Sequence, residues 1–390
     1  MTVKKQDFSQ RRNFPGTHDN NFDTLIHVLA QIEALYPPVF AGLLFFVAWA
    51  ASLFQWQLAL TLWLFMLGDW LLIALLPRFN KSYGPPQPPV FALAILRAPF
   101  ALFPFPLFVL FQIIGVLLVI YGFWIEPHRI TVTHQTLRSP KLKPGRPIKV
   151  LHLGDLHVER VTARERQLVE LVKSLNADLI LFSGDFLNLS YLRDRGAWND
   201  CRWVLKQLSA PLGVYAVSGS PVVDLDDVLP TLLDGMPIRW LRDEQITVEK
   251  DGQVIDVIGL TCTHKPFLDG PKLAPVLDGP ARPNGGFQPG LPLPRFTILL
   301  YHTPDLAPEA AEAGIDLQFS GHTHGGQVRL PFYGALFTAS LYDKAFESGR
   351  RRQSGLTLYV TRGLGLEGAG APRVRFLCPP EIILWELDGV

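Results

Sequence analysis

From Val39 to Leu76 the sequence is almost unbroken in its apolar character, with an interruption at Gln55-Trp56-Gln57. A helix crosses the roughly 30 Å apolar core of a bilayer with about 20 residues, so this stretch is too long for one crossing. It predicts a tight hairpin of two membrane helices, because backbone polar groups in a bilayer must be satisfied within helices. Hydrophobic residues make up 48% of the 390-residue chain, and the excess is concentrated in this first third.

Two further apolar stretches follow the hairpin. Residues 107–125 predict another span, with Tyr121 and Trp124 at its end as is typical of the membrane interface. Residues 90–103 contain an arginine and a proline and are followed by Pro104, so they fit a fourth span, a re-entrant piece or an interfacial helix. We therefore expect three or four spans. Ahead of them, residues 22–35 have helical apolar spacing and fit either a helix on the membrane surface or a short helix packed on the spans.

Basic residues on both sides of the hairpin place its flanks in the cytoplasm. A fourth span would return the following domain to the cytoplasm, which the basic residues after the membrane favour, whereas three spans would leave it outside. The sequence thus predicts a multi-pass membrane region over residues 1–127 and a catalytic domain over residues 128–390. Cys201, Cys262 and Cys378 lack metal-site spacing and an even count, so we expect buried free thiols.

After about Pro147 short β-branched runs alternate with helical stretches. Residues 148–153 predict a strand, 163–176 an amphipathic helix and 178–183 the next strand, which makes a β-α-β unit. Further strands are predicted at 213–219, 254–260, 296–301, 316–321, 357–363 and 381–387. So many strands indicate an α/β fold of two packed sheets with helices outside. Residues 263–294 are rich in Pro and Gly and predict a long loop that could border the substrate site.

Charge excludes one class of partner. The 36 Lys and Arg residues balance 35 Asp and Glu residues, so electrostatics gives no reason to expect binding to nucleic acid.

Potential metal ligands occur where predicted strands end. These are Asp155, His157, Asp185, His302, His322 and His324. Carboxylates and imidazoles hold divalent ions while leaving a position open for water, and the sequence therefore predicts a two-metal hydrolytic centre. His152, inside a predicted strand, is expected to be a packed core histidine.

In sequence, DLH, GD, H and GHTH resemble the motifs of the calcineurin-like metallophosphoesterase family, especially its membrane-associated bacterial branch. The resemblance spans residue 148 to the C-terminus and includes the late RGLG and CPPEI segments. It implies a four-layer α-β-β-α sandwich. It also implies a first divalent ion (Mn, Fe, Zn or Mg) held by Asp155, His157, Asp185 and His324, and a second held by Asp185, His302 and His322.

One family motif is altered. After the third strand the family has Gly-Asn-His, in which the Asn binds the second metal and the His assists the leaving group, whereas this chain has Gly219-Ser220-Pro221. The Ser220 hydroxyl can bind a metal weakly, but Pro221 cannot donate a proton. Asp224 or His264 could substitute as ligand or acid; the alternatives are a helix N-cap for Asp224 and a surface loop position for His264.

The leading hypothesis is a membrane-anchored phosphoesterase that hydrolyses a phosphoric ester or anhydride through a metal-activated hydroxide. Asp185 would bridge the ions and His322 would offset the developing charge. The substrate is expected to be a phosphorylated small molecule or a lipid-linked phosphate. The alternative is a pseudoenzyme that binds metal or a phosphorylated ligand without turnover. A channel or transporter is disfavoured because the predicted spans contain few ionisable residues.

Overall fold

The structure is a computed structural model that describes residues 2–15, 17, 24, 29, 31–278 and 293–390. Half of the helix predicted over 22–35, and residues 279–292 of the loop predicted over 263–294, lie outside these residues. The described α-helices are α1 (Pro37–Ala51), α2 (Trp56–Ala74), α3 (Gln87–Arg97), α4 (Phe105–Val119), α5 (Ala163–Leu175), α6 (Arg195–Leu205), α7 (Leu229–Leu233), α8 (Pro266–Asp269), α9 (Leu273–Leu277) and α10 (Ala307–Glu312).

The apolar first third forms a helical region built from α1 to α4. α1 and α2 are the expected hairpin, with the chain turning at residues 52–55, and all four helices contribute to one apolar core. The helical segments Trp56–Phe79 and Phe105–His128 are long and apolar enough to cross a membrane, whereas residues 37–51 and 87–102 form shorter apolar helices. Two of the three or four expected spans are therefore supported by length and composition.

A buried ion pair joins α2 to α3 inside this region. The Arg97 guanidinium donates from Nε and Nη2 to the two carboxylate oxygens of Asp69, at 2.6 and 2.8 Å. Its Nη1 donates to the backbone and side-chain oxygens of Gln112 on α4, both at 2.9 Å. All three side chains are buried, so these bonds satisfy polar groups that would otherwise be costly among apolar helices.

Two six-stranded sheets follow in the described residues. Their order is β1-β14-β2-β3-β4-β5 in the first sheet and β12-β13-β9-β8-β7-β6 in the second. The strands are β1 (Thr131–Ser139), β2 (Ile148–Leu153), β3 (Leu179–Phe182), β4 (Val214–Ala216), β5 (Arg239–Trp240), β6 (Glu244–Lys250), β7 (Gln253–Gly259), β8 (Phe296–Leu300), β9 (Leu317–Ser320), β12 (Gly349–Gln353), β13 (Leu356–Val360) and β14 (Glu381–Gly389), with β10 (Arg329–Leu330) and β11 (Gly334–Ala335) forming a separate ribbon.

The sheets face each other across one apolar core. Residues of both sheets, including Leu181, Ile298 and Trp385, fill the space between them and are fully buried. Helices α5, α6 and α7 pack on the outer face of the first sheet, while α9 and α10 pack on that of the second. This confirms the α/β arrangement of two packed sheets with helices outside. His152 packs between the sheets as expected, stacked 4.5 Å from Phe319.

The parallel strands explain where the functional side chains lie. β2, β3 and β4 run parallel in the first sheet, and β7, β8 and β9 run parallel in the second. Carboxyl ends of parallel neighbours meet at the same edge of a sheet, so the loops that follow these strands gather at one side. The three cysteines are buried and unpaired, as expected.

Polar contacts fasten the helical region to the two-sheet part of the chain. The buried Glu159 carboxylate accepts hydrogen bonds from the backbone of Tyr83, at 2.8 Å, and from Arg373, at 3.0 Å. The Arg375 backbone N–H donates, at 3.0 Å, to the carbonyl of Gly122, which lies in the helical turn that follows α4. These bonds fix the strand-end loops relative to the apolar helices.

Candidate metal centre

The candidate ligands predicted from the sequence come together at the carboxyl ends of the parallel strands. They form two groups in which the potential ligand atoms lie within 4.8 Å of one another. The first group is Asp155, His157, Asp185 and His324, and the second is His264, His302 and His322. All seven side chains are buried.

Asp185 lies between the two groups. Its Oδ2 is 3.5 Å from Nε2 of His157 in the first group and 3.3 Å from Nε2 of His302 in the second. A carboxylate in this position can bind two cations at once, which is the arrangement of two-metal hydrolytic sites. Asp185 therefore lies where its carboxylate can contact a cation held by either group.

Nitrogen and oxygen atoms of the first group face a common space. Nε2 of His157 lies 3.0 Å from Nε2 of His324, a separation of about the size found between two ligands of one ion. Asp155 accepts a hydrogen bond from the backbone of His322 at Oδ1, at 2.9 Å, while its buried Oδ2 has no hydrogen-bond partner among the described residues.

Imidazoles form the second group. The ring centroid of His322 lies 5.2 Å from that of His302 and 4.4 Å from that of His264. Ser220 lies beside them, with its Oγ 3.1 Å from Nε2 of His302 and 3.4 Å from Nδ1 of His322. Ser220 is thus at the place where the sequence predicted a weak oxygen ligand.

Backbone conformation at the centre is strained. Asp155, Asp185, His264 and His322 have φ between 49° and 71°, and His157 and His324 are also left-handed. Non-glycine residues in this region cost roughly 1–3 kcal/mol each, and such residues concentrate at functional sites. Gly184 is required here because a Cβ on it would lie 2.4 Å from the backbone of Gly219.

Neighbouring groups orient the ligands. Nδ1 of His302 donates to the Ser183 carbonyl at 2.8 Å, and Nδ1 of His157 donates to the Leu187 carbonyl at 3.2 Å. These bonds leave Nε2 of each ring directed at Asp185, the orientation that is typical of metal-binding histidines. Asp224 is not a helix cap: its carboxylate accepts from the backbone N–H groups of Asp185, Phe186 and Gly219.

Burial and charge set the protonation of the cluster. Burial lowers the pKa of His322 and His324 well below the usual value, so both rings are neutral and can donate lone pairs to a cation. Burial raises the pKa of Asp155 to about 6. Burial opposes ionisation of Asp185 too, but the positive charge of His302 outweighs it and holds the Asp185 pKa well below its usual range.

The donor set fits divalent cations. Buried atoms without a hydrogen-bond partner among the described residues include Oδ2 of Asp155, Nδ1 of His324 and Nε2 of both His264 and His322. Buried polar atoms are rarely left unpaired in folded proteins, and a cation coordinated by oxygen and imidazole nitrogen would satisfy them. The mixture of ligands suits Zn²⁺, Fe²⁺ or Mn²⁺.

The sequence left the role of His264 open between a ligand or acid and a surface loop position. In the structure the His264 side chain is only 2% exposed, so it does not lie on a surface loop, and it belongs to the second group. One signal could have identified it: His264 follows the end of β7, and β7 lies parallel to β8, after which His302 comes. Glu367 is also close, with its carboxylate 3.7 Å from Nε2 of His324.

The fold and the two ligand groups define a metal-dependent hydrolase. Residues 148–326 match the family described as calcineurin-like phosphoesterase, and this part of the chain is a domain of that family. The sequence-based recognition of a metallophosphoesterase is thereby confirmed, and the protein is a hydrolase of this class.

Bacterial relatives agree with this assignment. The chain is 28% identical to the uncharacterized metallophosphoesterase YkuE of Bacillus subtilis over 69% of this chain and 89% of that protein. It is 25% identical to the phosphodiesterase YaeI of Escherichia coli, over 62% and 82% of the two chains. It is also 25% identical to the UDP-2,3-diacylglucosamine pyrophosphatase LpxG of Chlamydia muridarum, over 69% and 92%.

Proposed function

We propose that this protein is a membrane-anchored phosphoesterase that hydrolyses a phosphoric ester or anhydride at a two-cation centre. The observation that carries the proposal is the position of Asp185, whose Oδ2 lies within 3.5 Å of a histidine from each ligand group. Asp155, His157, Asp185 and His324 would hold the first ion. Asp185, His302, His322 and Ser220 would contribute to the second.

Divalent ions at such a centre supply Lewis acidity toward a phosphoryl oxygen and lower the pKa of water. The protein's own residues do the rest. Asp185 fixes the spacing of the two groups. The Ser220 backbone N–H donates a hydrogen bond to Oδ1 of Asp185, at 2.7 Å, and holds the carboxylate in place. His322, neutral and buried, is proposed to offset negative charge that develops on the phosphoryl group.

Membrane anchoring is supported by the surface of the helical region. Large apolar side chains of these helices point outward, and Phe46, Leu64, Leu71 and Leu117 are each more than half exposed. In water such a surface is unfavourable, whereas in a bilayer it is solvated by acyl chains. Residues 1–127 are therefore proposed as the membrane region and residues 128–390 as the catalytic domain.

The position of the centre favours a substrate that resides in the membrane. The backbone N–H of Gly365 donates to the Asp155 carbonyl at 2.7 Å, and Arg375 donates to the Gly365 carbonyl while its own backbone bonds to Gly122 of the helical region. One loop thus connects a ligand to the end of an apolar helix. The name of LpxG describes a pyrophosphatase of a diacylated nucleotide sugar. We propose a lipid-linked phosphate or pyrophosphate as the substrate class.

The test is hydrolysis by the full chain in detergent micelles with Mn²⁺. Micellar lipid pyrophosphates and soluble aryl phosphodiesters would be compared, and the wild type is expected to hydrolyse the lipid substrate faster. The Asp185→Asn variant should lose activity by at least 100-fold, because the amide cannot bridge two cations. Equal rates for Asp185→Asn and wild type would reject the two-cation centre, whereas hydrolysis of soluble esters alone would reject only the lipid substrate.

The altered Gly-Ser-Pro motif supports a second candidate, a pseudoenzyme that binds metal or a phosphorylated ligand without turnover. Pro221 has no side-chain proton donor, so the leaving group lacks the acid that the family provides. Two bound ions with turnover would reject this candidate. Bound phosphate or lipid phosphate with no turnover of any ester would support it.

A further inference from the structure

The N-terminal arm, residues 2–15, lies on the second sheet rather than with the helices that follow it. The Val3 backbone donates to the Gln353 side chain at 2.8 Å, and Gln353 donates back to the Val3 carbonyl. Phe8 packs edge-on against Tyr342, with ring centroids 5.4 Å apart. Phe8 and Phe14 are both buried in the apolar cluster that covers this sheet.

At its end the arm reaches the metal centre. The Pro15 carbonyl accepts a hydrogen bond from Nδ1 of His264, and Phe14 packs against Phe267, three residues after that histidine. A carbonyl can only accept, so Nδ1 carries the proton and Nε2 carries the lone pair. This buried Nε2 has no hydrogen-bond partner among the described residues.

His264 is held in a conformation that needs an explanation. Its φ is +62°, and its ring lies 4.4 Å from that of His322 and 5.7 Å from that of His302. Three buried imidazoles brought together in one group are typical of a transition-metal site.

The same site lacks a ligand that the family motif would provide. At Gly219-Ser220-Pro221 the short Ser220 hydroxyl is already 3.2 Å from Oδ2 of Asp185 and 3.1 Å from Nε2 of His302. An imidazole nitrogen binds borderline divalent ions more strongly than a neutral hydroxyl does. His264 joins the group from a different strand end, because it follows β7 whereas Ser220 follows β4.

We propose that His264 is the third imidazole ligand of the second cation, taking the role of the missing asparagine, and that the N-terminal arm positions it through the Pro15 carbonyl. This rests on the proposed two-cation centre and specifies its second site. Carbonyl groups that hold the far nitrogen of a metal-binding histidine typically contribute 10–100-fold to metal affinity. The arm precedes the helical region, so the second site is built from both ends of the chain's membrane segment.

Metal binding by the full chain in detergent tests the ligand role. Mn²⁺ stoichiometry would be measured by elemental analysis, affinity by calorimetry, and coupling between the ions by electron paramagnetic resonance. Wild type is expected to bind two coupled ions. His264→Ala should bind the first ion normally, bind the second at least 100-fold more weakly and lose the coupled signal. His134→Ala, at an exposed histidine of β1, should match wild type.

Restoring the family ligand provides an independent check. In the His264→Ala background, Ser220→Asn should recover the second ion, because the amide oxygen can occupy the coordination position that the imidazole leaves. This recovery also separates a ligand role from a purely structural one, since a damaged fold would not regain metal. A His264→Ala variant that keeps both ions with unchanged affinity would overturn the proposal.

Deletion of residues 2–15 tests the arm. The second-site affinity is expected to fall 10–100-fold with His264 still present, whereas Lys4→Ala, at an exposed arm residue, should change nothing. Unchanged affinity in the deletion would overturn the positioning role of Pro15. If wild type itself binds fewer than two ions, the two-cation centre of the proposed function fails. If wild type binds two ions and the variants bind both ions with the same affinity, the two-cation centre stands and the inference about His264 fails.

Discussion

The Asp224 carboxylate accepts a hydrogen bond from the backbone N–H of Asp185, with 2.8 Å between Oδ2 and N. Two further backbone N–H groups, from Phe186 and Gly219, point at the same carboxylate. The Asp224 side chain therefore fixes the turn that carries Asp185. Its position in the first loop after the altered motif gave no indication of this role.

Replacement of Asp224 should weaken both stability and metal binding. Asp224→Ala leaves three buried N–H groups without an acceptor, and each such group costs about 1–3 kcal/mol. We expect a loss of several kcal/mol in the free energy of unfolding and a loss of the bridged pair of ions. Thermal unfolding and metal analysis would measure both effects, with exposed Asp226→Ala as the control. Normal metal content in Asp224→Ala would contradict this role.

Gly184→Ala should abolish metal binding for a steric reason. At φ +96° the new Cβ would lie 2.4 Å from the backbone of Gly219, so the two strand-end turns must separate. Gly355 is a matched control because it has φ +95° and open space around it. Gly355→Ala is expected to cost about 1–2 kcal/mol from backbone strain alone and to keep both ions. Equal metal contents in the two variants would exclude the steric explanation.

The ion pair of the helical region should respond differently to single and double replacement. Arg97→Met leaves Asp69 buried without its partner, which costs about 3–5 kcal/mol. The double variant Asp69→Leu with Arg97→Met removes both charges and should recover most of this loss. Unfolding in detergent would measure the two effects. A double variant less stable than Arg97→Met alone would show that the pair does more than neutralise its own charges.

Asp305 should make the fold less stable as the pH rises. Burial raises the pKa of this carboxyl to about 6 from 3.8, while Oδ1 accepts from Ser340 at 2.6 Å and from the Leu341 backbone at 3.0 Å. A raised folded-state pKa stabilises the fold fully below the unfolded value, and this contribution disappears as the pH passes through about 6. The loss between pH 4 and 7 is on the order of 3 kcal/mol.

Asp305→Asn removes this titration and can keep both accepted hydrogen bonds. Relative to wild type, the variant should therefore gain stability between pH 4 and pH 7, as measured by thermal unfolding at the two values. The exposed substitution Asp234→Asn serves as a control for general charge effects. A difference between Asp305→Asn and wild type that stays constant with pH would contradict the assignment.

Removal of metal should destabilise the wild type more than the Asp185→Asn variant. Ions that bind the folded chain but not the unfolded chain add stability, about 2.7 kcal/mol for an ion at 100 times its dissociation constant. A chelator is thus expected to lower the unfolding temperature of the wild type by several degrees. Asp185→Asn should show a smaller change, and an equal change in both proteins would argue against the bridging position.

How far the sequence predicts this molecule depends on how local each signal is. The sequence correctly predicted that strands end shortly before Asp155, Asp185 and His302, because the apolar runs stop there. These residues come together because parallel strands align their carboxyl ends. β1 and β12 were missed because they are half exposed or polar. For His264 the sequence left a ligand role and a surface loop position both open, because its neighbour, His302, is 38 positions away and only the pairing of β7 with β8 brings the two together.

The last strand of the chain has a consequence for biosynthesis. β14 lies between β1 and β2, pairing with the first in parallel and with the second antiparallel, and its Trp385 is fully buried. Until residues 381–389 leave the ribosome, the first sheet has a gap at its second position, with the helices of the N-terminal third long since synthesised. The first sheet therefore cannot be completed before β14 has emerged, and a nascent chain that still holds residues 381–389 inside the ribosome would remain unassembled.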